Sequence, residues 1–385
     1  MTRFALVNPP GEYHSPDVGG AVATVNYNLA RALLRSGHEV TVLSSLPQRH
    51  GYDSVPTVAL EDVKRLSRAK RKLAHWEVLY RHYDAEAYGF HIRSVRHALA
   101  QTGPVEVVVT HNDVRAGAPL RRWFPEALWV PWLHNEVRSR ADGIAQEIAA
   151  ATLVVCVSRY IETWTRNRYE LDPELFTVAL SGVDTELFFP RKDHDLQEGP
   201  LRVLYVGRLI LDKGADLVVD AVAALKKQGL AAEVTVLGSS WWYGDENQLE
   251  DWFAGGVIAQ TLAMGGAWQP HASRSVTAEI FRQHDVVCVL SRFQEPASLV
   301  ALEAMASGCA LIATDRGGIP EMAGEAGVIV PANDVRSVIE TLATWCSDRV
   351  QLQRAKARSL ERAKAAGWDR TARQFLTALD RRTQR

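Results

Sequence analysis

The stretch SRFQEPASLVALEAMASGCALIATDRGG, residues 291–318, decides the fold. Before it, Asp285-Val286-Val287-Cys288-Val289-Leu290 is a short apolar run, the pattern of a strand buried on both faces. Inside it, Ala310-Leu311-Ile312-Ala313-Thr314 is a second such run. Between the two, Leu299, Val300, Leu302, Met305 and Ala306 recur at helical spacing, and Ser307-Gly308 stops the helix. Strand, loop, helix and strand make a β-α-β unit of a parallel sheet. Ligands of such sheets bind at the carboxyl ends of the strands. Two acids stand there, Glu295 in the loop and Glu303 inside the helix, eight positions apart.

The same pattern repeats on the N-terminal side. Leu201–Val206 reads as a strand, and the loop from Gly207 to Gly214 carries Arg208 and Lys213. Helix Ala215–Lys227, strand Glu233–Gly238, the aromatic loop Trp241-Trp242-Tyr243-Gly244-Asp245 and a short strand within Thr261–Gln269 follow. Earlier still, Arg3–Val7 is a strand, Gly19-Gly20 lies in a loop, Ala21–Ser36 is a helix and Val40–Leu43 is a strand. Val105–Thr110, Leu128–Leu133 and Leu153–Val157 continue the alternation, with His111 and His134 at strand ends. No G-x-G-x-x-G appears, so the dinucleotide fingerprint is missing. A chain of 385 residues exceeds one ordinary core. The polar linker Asp193–Pro200 divides it. The expected layout is α/β: residues 1–190 as one doubly wound, Rossmann-like domain, 191–360 as a second, and 361–385 as a basic C-terminal helix. A cleft between two such domains suits a bulky ligand.

Composition removes several classes. The net charge of −1, from 44 basic and 45 acidic residues, excludes a protein whose whole surface binds nucleic acid, so any anion site is local. The four cysteines have no metal spacing, and three lie in apolar runs, which fits a reducing compartment. No apolar run reaches membrane-spanning length and no signal peptide is evident, so a cytoplasmic protein is expected. Lys64, Arg65, Arg68, Lys70, Arg71 and Lys72 form a basic segment, with Trp76, Tyr80, Tyr83, Tyr88 and Phe90 after it. The plain reading is a solvated helix face. The sharper one is a surface for anionic lipid at the inner face of the membrane, or for a phosphorylated acceptor.

Glu295, Glu303 and Gly318-Ile319-Pro320-Glu321 together resemble the E-x7-E and G-x-P-E elements of glycosyltransferase family 4. Val206-Gly207-Arg208-Leu209 with Lys213-Gly214, Ser181-Gly182-Val183-Asp184, Gly19-Gly20 and Ser36-Gly37-His38-Glu39-Val40 support the resemblance in order along the chain. The loop Gly238–Asp245 is most similar to the bacterial spore-coat and cell-surface polysaccharide branch. One departure stands out: Pro296-Ala297-Ser298 replaces the usual glycine-rich filling between the two acids. The resemblance implies a GT-B fold, with the C-terminal helix 361–385 crossing back to the first domain, and a retaining, metal-independent hexosyltransferase. Its donor would be a nucleotide sugar, UDP-linked, and its acceptor a glycan, a lipid-linked molecule or a small molecule. No cofactor and no metal are expected. Asp193-His194-Asp195 spells D-x-D but lies in the linker and reads as solvated.

Such a transfer builds negative charge on a departing diphosphate, and fixed positive potential is needed there. Arg208 and Lys213 are the cations for that task, each otherwise an ordinary surface charge. The helix start at Ser298, Leu299 and Val300 adds unpaired amides and a positive dipole end. Glu303 lies roughly 7–8 Å further along the axis, about the reach from a phosphate to its ribose. By resemblance Glu303 holds the ribose and Glu295 the donor sugar. The plain alternatives are an exposed helix residue and a dipole-favoured acid. His134 matches the histidine that family members place against the donor sugar, and His111 is a second candidate toward the acceptor. Gly20 would let its loop approach the phosphates. Trp268 is expected in ordinary core packing, with a place beside the base as the other reading. Competing functions are a nucleotide-sugar epimerase, a sugar-phosphate synthase, and a non-catalytic coat protein that binds nucleotide sugar.

Overall fold

The structure is a computed structural model and describes residues 1–16, 20–45, 52, 54–60, 85–139, 143–191, 199–240 and 251–384. The chain forms two compact units, one of Met1–Ser181 with Trp368–Arg385 and the other of Gly182–Gly367.

The first unit is built on seven strands: β1 (Arg3–Val7), β2 (Glu39–Ser45), β3 (Thr57–Leu60), β4 (Val107–His111), β5 (Leu128–Leu133), β6 (Val154–Cys156) and β7 (Phe176–Val178). Their order is β3-β2-β1-β4-β5-β6-β7, and every neighbouring pair is parallel. Helices α1 (Ala21–Arg35), α2 (Ala85–Gln101), α3 (Gly117–Trp123), α4 (Ile144–Ala149) and α5 (Arg159–Tyr169) connect them. All five residues of β4 are buried, as parallel strands covered on both faces must be. The short strands β3 and β7 have no long apolar run to announce them. Phe176, Thr177 and Val178 are only half-buried at the sheet edge.

The second unit holds β8 (Leu201–Val206), β9 (Ala232–Leu237), β10 (Ala267–Gln269), β11 (Val286–Val289), β12 (Ala310–Thr314) and β13 (Val328–Val330). The order is β10-β9-β8-β11-β12-β13, again all parallel. Its helices are α6 (Ala215–Lys227), α7 (Asp251–Ala263), α8 (Arg274–Arg282), α9 (Leu299–Ala306), α10 (Ile319–Ala323), α11 (Val335–Ser347) and α12 (Arg349–Lys364). Strand order reverses between β8 and β11, the switch point where doubly wound sheets take ligands. A buried ion cluster pins the opposite, amino ends of these strands. Asp285 accepts from Arg202 at 3.0 Å through both Nε and Nη2, and from Lys356 Nζ at 3.1 Å. Burial alone would raise the Asp285 carboxyl, but the Arg202 hydrogen bonds and the Lys356 charge bring it below its usual range.

The last helix, α13 (Trp368–Thr383), belongs to the first unit. Phe375 is fully buried there, 5.9 Å from Phe4 and 5.3 Å from Trp132 between ring centroids. Thr371 donates to the Leu180 carbonyl at 2.7 Å. Among the described residues no helix is long and apolar enough to cross a membrane. Gly19, the basic segment 64–72, Trp76, Tyr80, Tyr83, the Asp193–Asp195 motif and the aromatic loop from Trp241 lie outside the described residues.

Candidate active site

The second unit assembles charge at the carboxyl ends of β8 and β11. Glu295 is only 8% exposed, and both its carboxylate oxygens are engaged. Lys213 Nζ donates to Oε1 at 2.8 Å, and the Ser291 hydroxyl donates to Oε2. Its backbone is held as firmly. The Gly318 amide donates to the Glu295 carbonyl at 2.7 Å, and the Gly317 amide to the Gln294 side chain at 2.6 Å. Gly317 has φ +57°, and a Cβ there would stand 2.1 Å from the Glu295 carbonyl oxygen. The Gly317-Gly318 turn therefore works as a clamp on Glu295, and no side chain fits at its first position.

A second brace joins the Lys213 loop to the Glu295 loop. Arg292 forks onto Asp216 at 2.8 and 2.6 Å, donates through Nε to Asn333 at 2.7 Å, and also meets the Leu211 carbonyl. Its own amide donates to the Asp212 carbonyl at 2.7 Å. Bidentate guanidinium–carboxylate pairing fixes angle as well as distance. Gly214, at φ +70°, lets this loop close up: a Cβ would lie 2.2 Å from the Leu290 carbonyl oxygen. Arg208 is half-buried just beyond β8, with its carbonyl accepting from the Tyr205 hydroxyl at 2.7 Å.

Helix α9 starts beside Glu295. Ser298 is buried and its hydroxyl accepts from the Ala301 amide at 3.3 Å. That bond caps one orphan donor and leaves the Leu299 and Val300 amides at the helix start. Glu303 is not an exposed helix residue. It is 6% exposed and bonded through Oε1 to Arg274 Nη2 at 2.6 Å, while the Arg274 guanidinium lies 5.2 Å over the Phe188 ring. Sequence reading missed Arg274 and Arg292, since partners 29 and 76 residues away leave no local signal. Trp268 is not core. It stands on the edge strand β10, 36% exposed, its indole donating to the Gly238 carbonyl at 3.0 Å. An edge strand with little covering it leaves a large ring at the surface.

The first unit treats its strand ends differently. His134 follows β5, is 9% exposed, and its amide donates to Asn112 Oδ1 at 2.7 Å. Asn112 reaches that position with φ +55°, a left-handed conformation that asparagine tolerates. His111, fully buried at the end of β4, lies with Nδ1 2.7 Å from His134 Nε2. Burial lowers both histidines below the usual imidazole range, and for His111 the neighbouring His134 adds to the effect. His111 is thus a neighbour of His134 under the surface, not an open contact toward an acceptor. Two residues on, Glu136 is buried and accepts from Tyr160 and Arg138.

Gly20 also differs from expectation. Its amide donates to Glu12 Oε1 at 2.8 Å, and the Ala23 amide to the same oxygen at 3.0 Å. A Cβ on Gly20 would meet Glu12 Oε1 at 2.7 Å. The closeness that glycine allows is used here by the protein's own carboxylate, which caps α1 where a phosphate was expected.

Comparisons with known proteins bear on the family and the fold. Residues 18–187 match the family model "Glycosyltransferase Family 4", and residues 189–363 match "Glycosyl transferases group 1". The chain is 24% identical to Spore coat protein SA of Bacillus subtilis (strain 168), over 95% of this chain and 96% of that one. It is 27% identical to a D-inositol 3-phosphate glycosyltransferase of Paenarthrobacter aurescens (strain TC1), over 97% and 95%. Among solved structures it resembles the sucrose-phosphate synthase of Thermosynechococcus elongatus, with TM-score 0.76, 19% identity and 98% of each chain covered. It also resembles Anabaena HepE in complex with UDP-glucose, with TM-score 0.68, 14% identity and coverage of 99% and 100%. Two parallel α/β sheets, the paired acids after β11 and the two matches that between them span most of the sequence lead to one conclusion: this chain belongs to the family 4 glycosyltransferases of the GT-B fold.

Proposed function

We propose that the chain moves a hexosyl group from a UDP-linked sugar to a hydroxyl of a glycan, lipid-linked or small-molecule acceptor in cell-surface or spore-coat biosynthesis, with retention of configuration. The observation that carries this reading is the doubly braced Glu295 beside the open start of α9, with the Arg274-paired Glu303 further along the same helix. The Leu299 and Val300 amides, Arg208 and Lys213 meet the diphosphate, so its charge is balanced by the protein without a metal. Lys213 has two tasks, since it also neutralises Glu295 at 2.8 Å. Glu303 accepts ribose hydroxyls and Glu295 accepts hydroxyls of the sugar, with His134 assigned to the sugar by the family resemblance alone. The C1–O bond to phosphate breaks as the acceptor oxygen bonds C1 on the same face. The acceptor's proton passes to the leaving phosphate oxygen. The UDP assignment draws on the likeness to HepE, and the spore-coat setting on the likeness to Spore coat protein SA. A phosphorylated small-molecule acceptor is a second reading, favoured by the names of the inositol-phosphate and sucrose-phosphate relatives. Peripheral contact with anionic membrane through residues 64–72 belongs to the same proposal, and binding to anionic vesicles at low salt tests it.

The test begins with thermal shift in UDP, GDP and ADP, because a ligand of the folded state alone raises its stability. UDP should give the largest shift. Turnover of UDP-sugars then reads the reaction: UDP should appear only when an acceptor is present, and the product anomer should match the donor's. Epimerised donor with no acceptor present would sink the transferase reading.

A further inference from the structure

We infer that His111 is a positioning residue that holds His134 in the tautomer with hydrogen on Nδ1, so that the second ring nitrogen of His134 is a hydrogen-bond donor. His111 Nδ1 and His134 Nε2 lie 2.7 Å apart in a buried contact, so one hydrogen serves both nitrogens. If it sits on His111, then His111 Nε2 carries a bare lone pair and His134 Nδ1 carries a hydrogen. If it sits on His134, then His111 Nε2 carries a hydrogen and His134 Nδ1 is an acceptor.

Two observations choose between these states. His111 Nε2 is buried with no partner among the described residues. Native interiors leave a donor unpaired less often than an acceptor. The Trp132 indole, with its ring centroid 6.0 Å from that of His111, also has a buried Nε1 without a partner among the described residues. Indole can only donate. A protonated His111 Nε2 would add a second unpaired N–H beside the Trp132 indole, whereas a bare lone pair leaves only one buried donor unpaired there. Both arguments place the shared hydrogen on His111 Nδ1. The depressed basicity of both rings keeps each neutral near neutral pH, so the choice of tautomer is well defined.

The consequence for specificity rests on the proposed transferase reading. His134 then offers an N–H, and the group it meets is an acceptor oxygen of the sugar, such as a hydroxyl lone pair or a carbonyl. Asn112, which takes the His134 amide, fixes the backbone from which the ring projects.

Nitrogen NMR on the full chain labelled with 15N-histidine tests the inference without any ligand, the His134 signals being identified by their loss in His134→Gln. Long-range proton–nitrogen correlation should show a protonated Nδ1 and a bare Nε2 on His134. The reverse pattern, or a mixture, overturns the proposal. His111→Asn keeps an amide donor near the Nδ1 position and should retain both the signature and most of the transfer rate. His111→Leu removes the donor and should mix the tautomers, with kcat falling about tenfold. An unchanged His134 spectrum in a folded His111→Leu protein also overturns it. If the leucine variant fails to fold, the wild-type and asparagine spectra decide. Should the spectra be as expected while His134→Gln transfers sugar normally, the sugar contact fails and the tautomer stands.

Discussion

The two units share one architecture and handle charge at their strand ends in opposite ways. In the second, acids and bases meet in close pairs after β8 and β11: Lys213 with Glu295 at 2.8 Å, Arg274 with Glu303 at 2.6 Å, Arg292 with Asp216 at 2.6 Å. In the first, the corresponding ends hold a histidine pair that burial keeps neutral, and the start of α1 is occupied by Glu12. Repeating a β-α-β framework therefore repeats a location for chemistry, not the chemistry. Paired charges collect at the strand ends of the second unit, and uncharged imidazoles at those of the first.

The largest effect that could break this contrast is a response to acid. Burial lowers His14 and His91 to about 4 and lowers His111 and His134 as well, and all four belong to the first unit. Their folded pKa lies below the unfolded value of about 6.5, so the unfolded state binds the extra protons. Their stabilisation is complete above about pH 6.5 and is lost as pH falls toward about 4, at up to about 1.4 kcal/mol per pH unit for each. In the second unit His284 is lowered too, whereas the braced Asp285 yields only below the usual carboxylate range. Pulse proteolysis in urea at about pH 7 and about pH 5 should show the first unit losing its midpoint well ahead of the second. Equal losses would erase the distinction.

Next in size is Glu295→Gln. With the acid gone, kcat/KM for the nucleotide sugar should fall by about a thousandfold, equivalent to about 4 kcal/mol, with circular dichroism unchanged. Near-normal turnover in a folded variant would move the reaction away from β11. Glu303→Gln should be milder and of another kind: donor KM up about 10- to 100-fold with kcat held within about threefold. A loss confined to kcat would mean that Glu303 touches the reacting sugar, not the ribose. The smallest effect is expected for Glu12→Gln, which weakens the α1 cap by about 1 kcal/mol and leaves donor affinity unchanged. Calorimetry reads both quantities. A gain in UDP affinity would show that Glu12 occupies a phosphate site and would bring the two units closer in function.

Much of this was legible in the sequence. Buried parallel strands are unbroken apolar runs, so β1, β5, β8 and β12 have the bounds expected from the residues alone. The helix over Ala215–Lys227 and the stop at Ser307-Gly308 were equally clear, since 3.6-residue periodicity and a left-handed glycine at φ +83° are local properties. Strands β3, β7 and β13 were not, because short or partly exposed strands at sheet edges need no long apolar run. Of the candidate site, both acids, Arg208, Lys213 and His134 are proposed from spacing and resemblance. Their partners could not.

The sequence by itself determined two α/β units, the β-α-β motif around residues 291–318, and which side chains stand at strand ends. These follow from periodicity, which each short segment carries within itself. Tertiary structure alone decided who meets whom: Lys213 with Glu295, Arg274 with Glu303, Glu12 with Gly20, His111 with His134. Such pairs depend on strand order and register, which join residues 8 to 82 positions apart. Burial, and with it the neutrality of the histidine pair, is likewise a property of what packs around a residue.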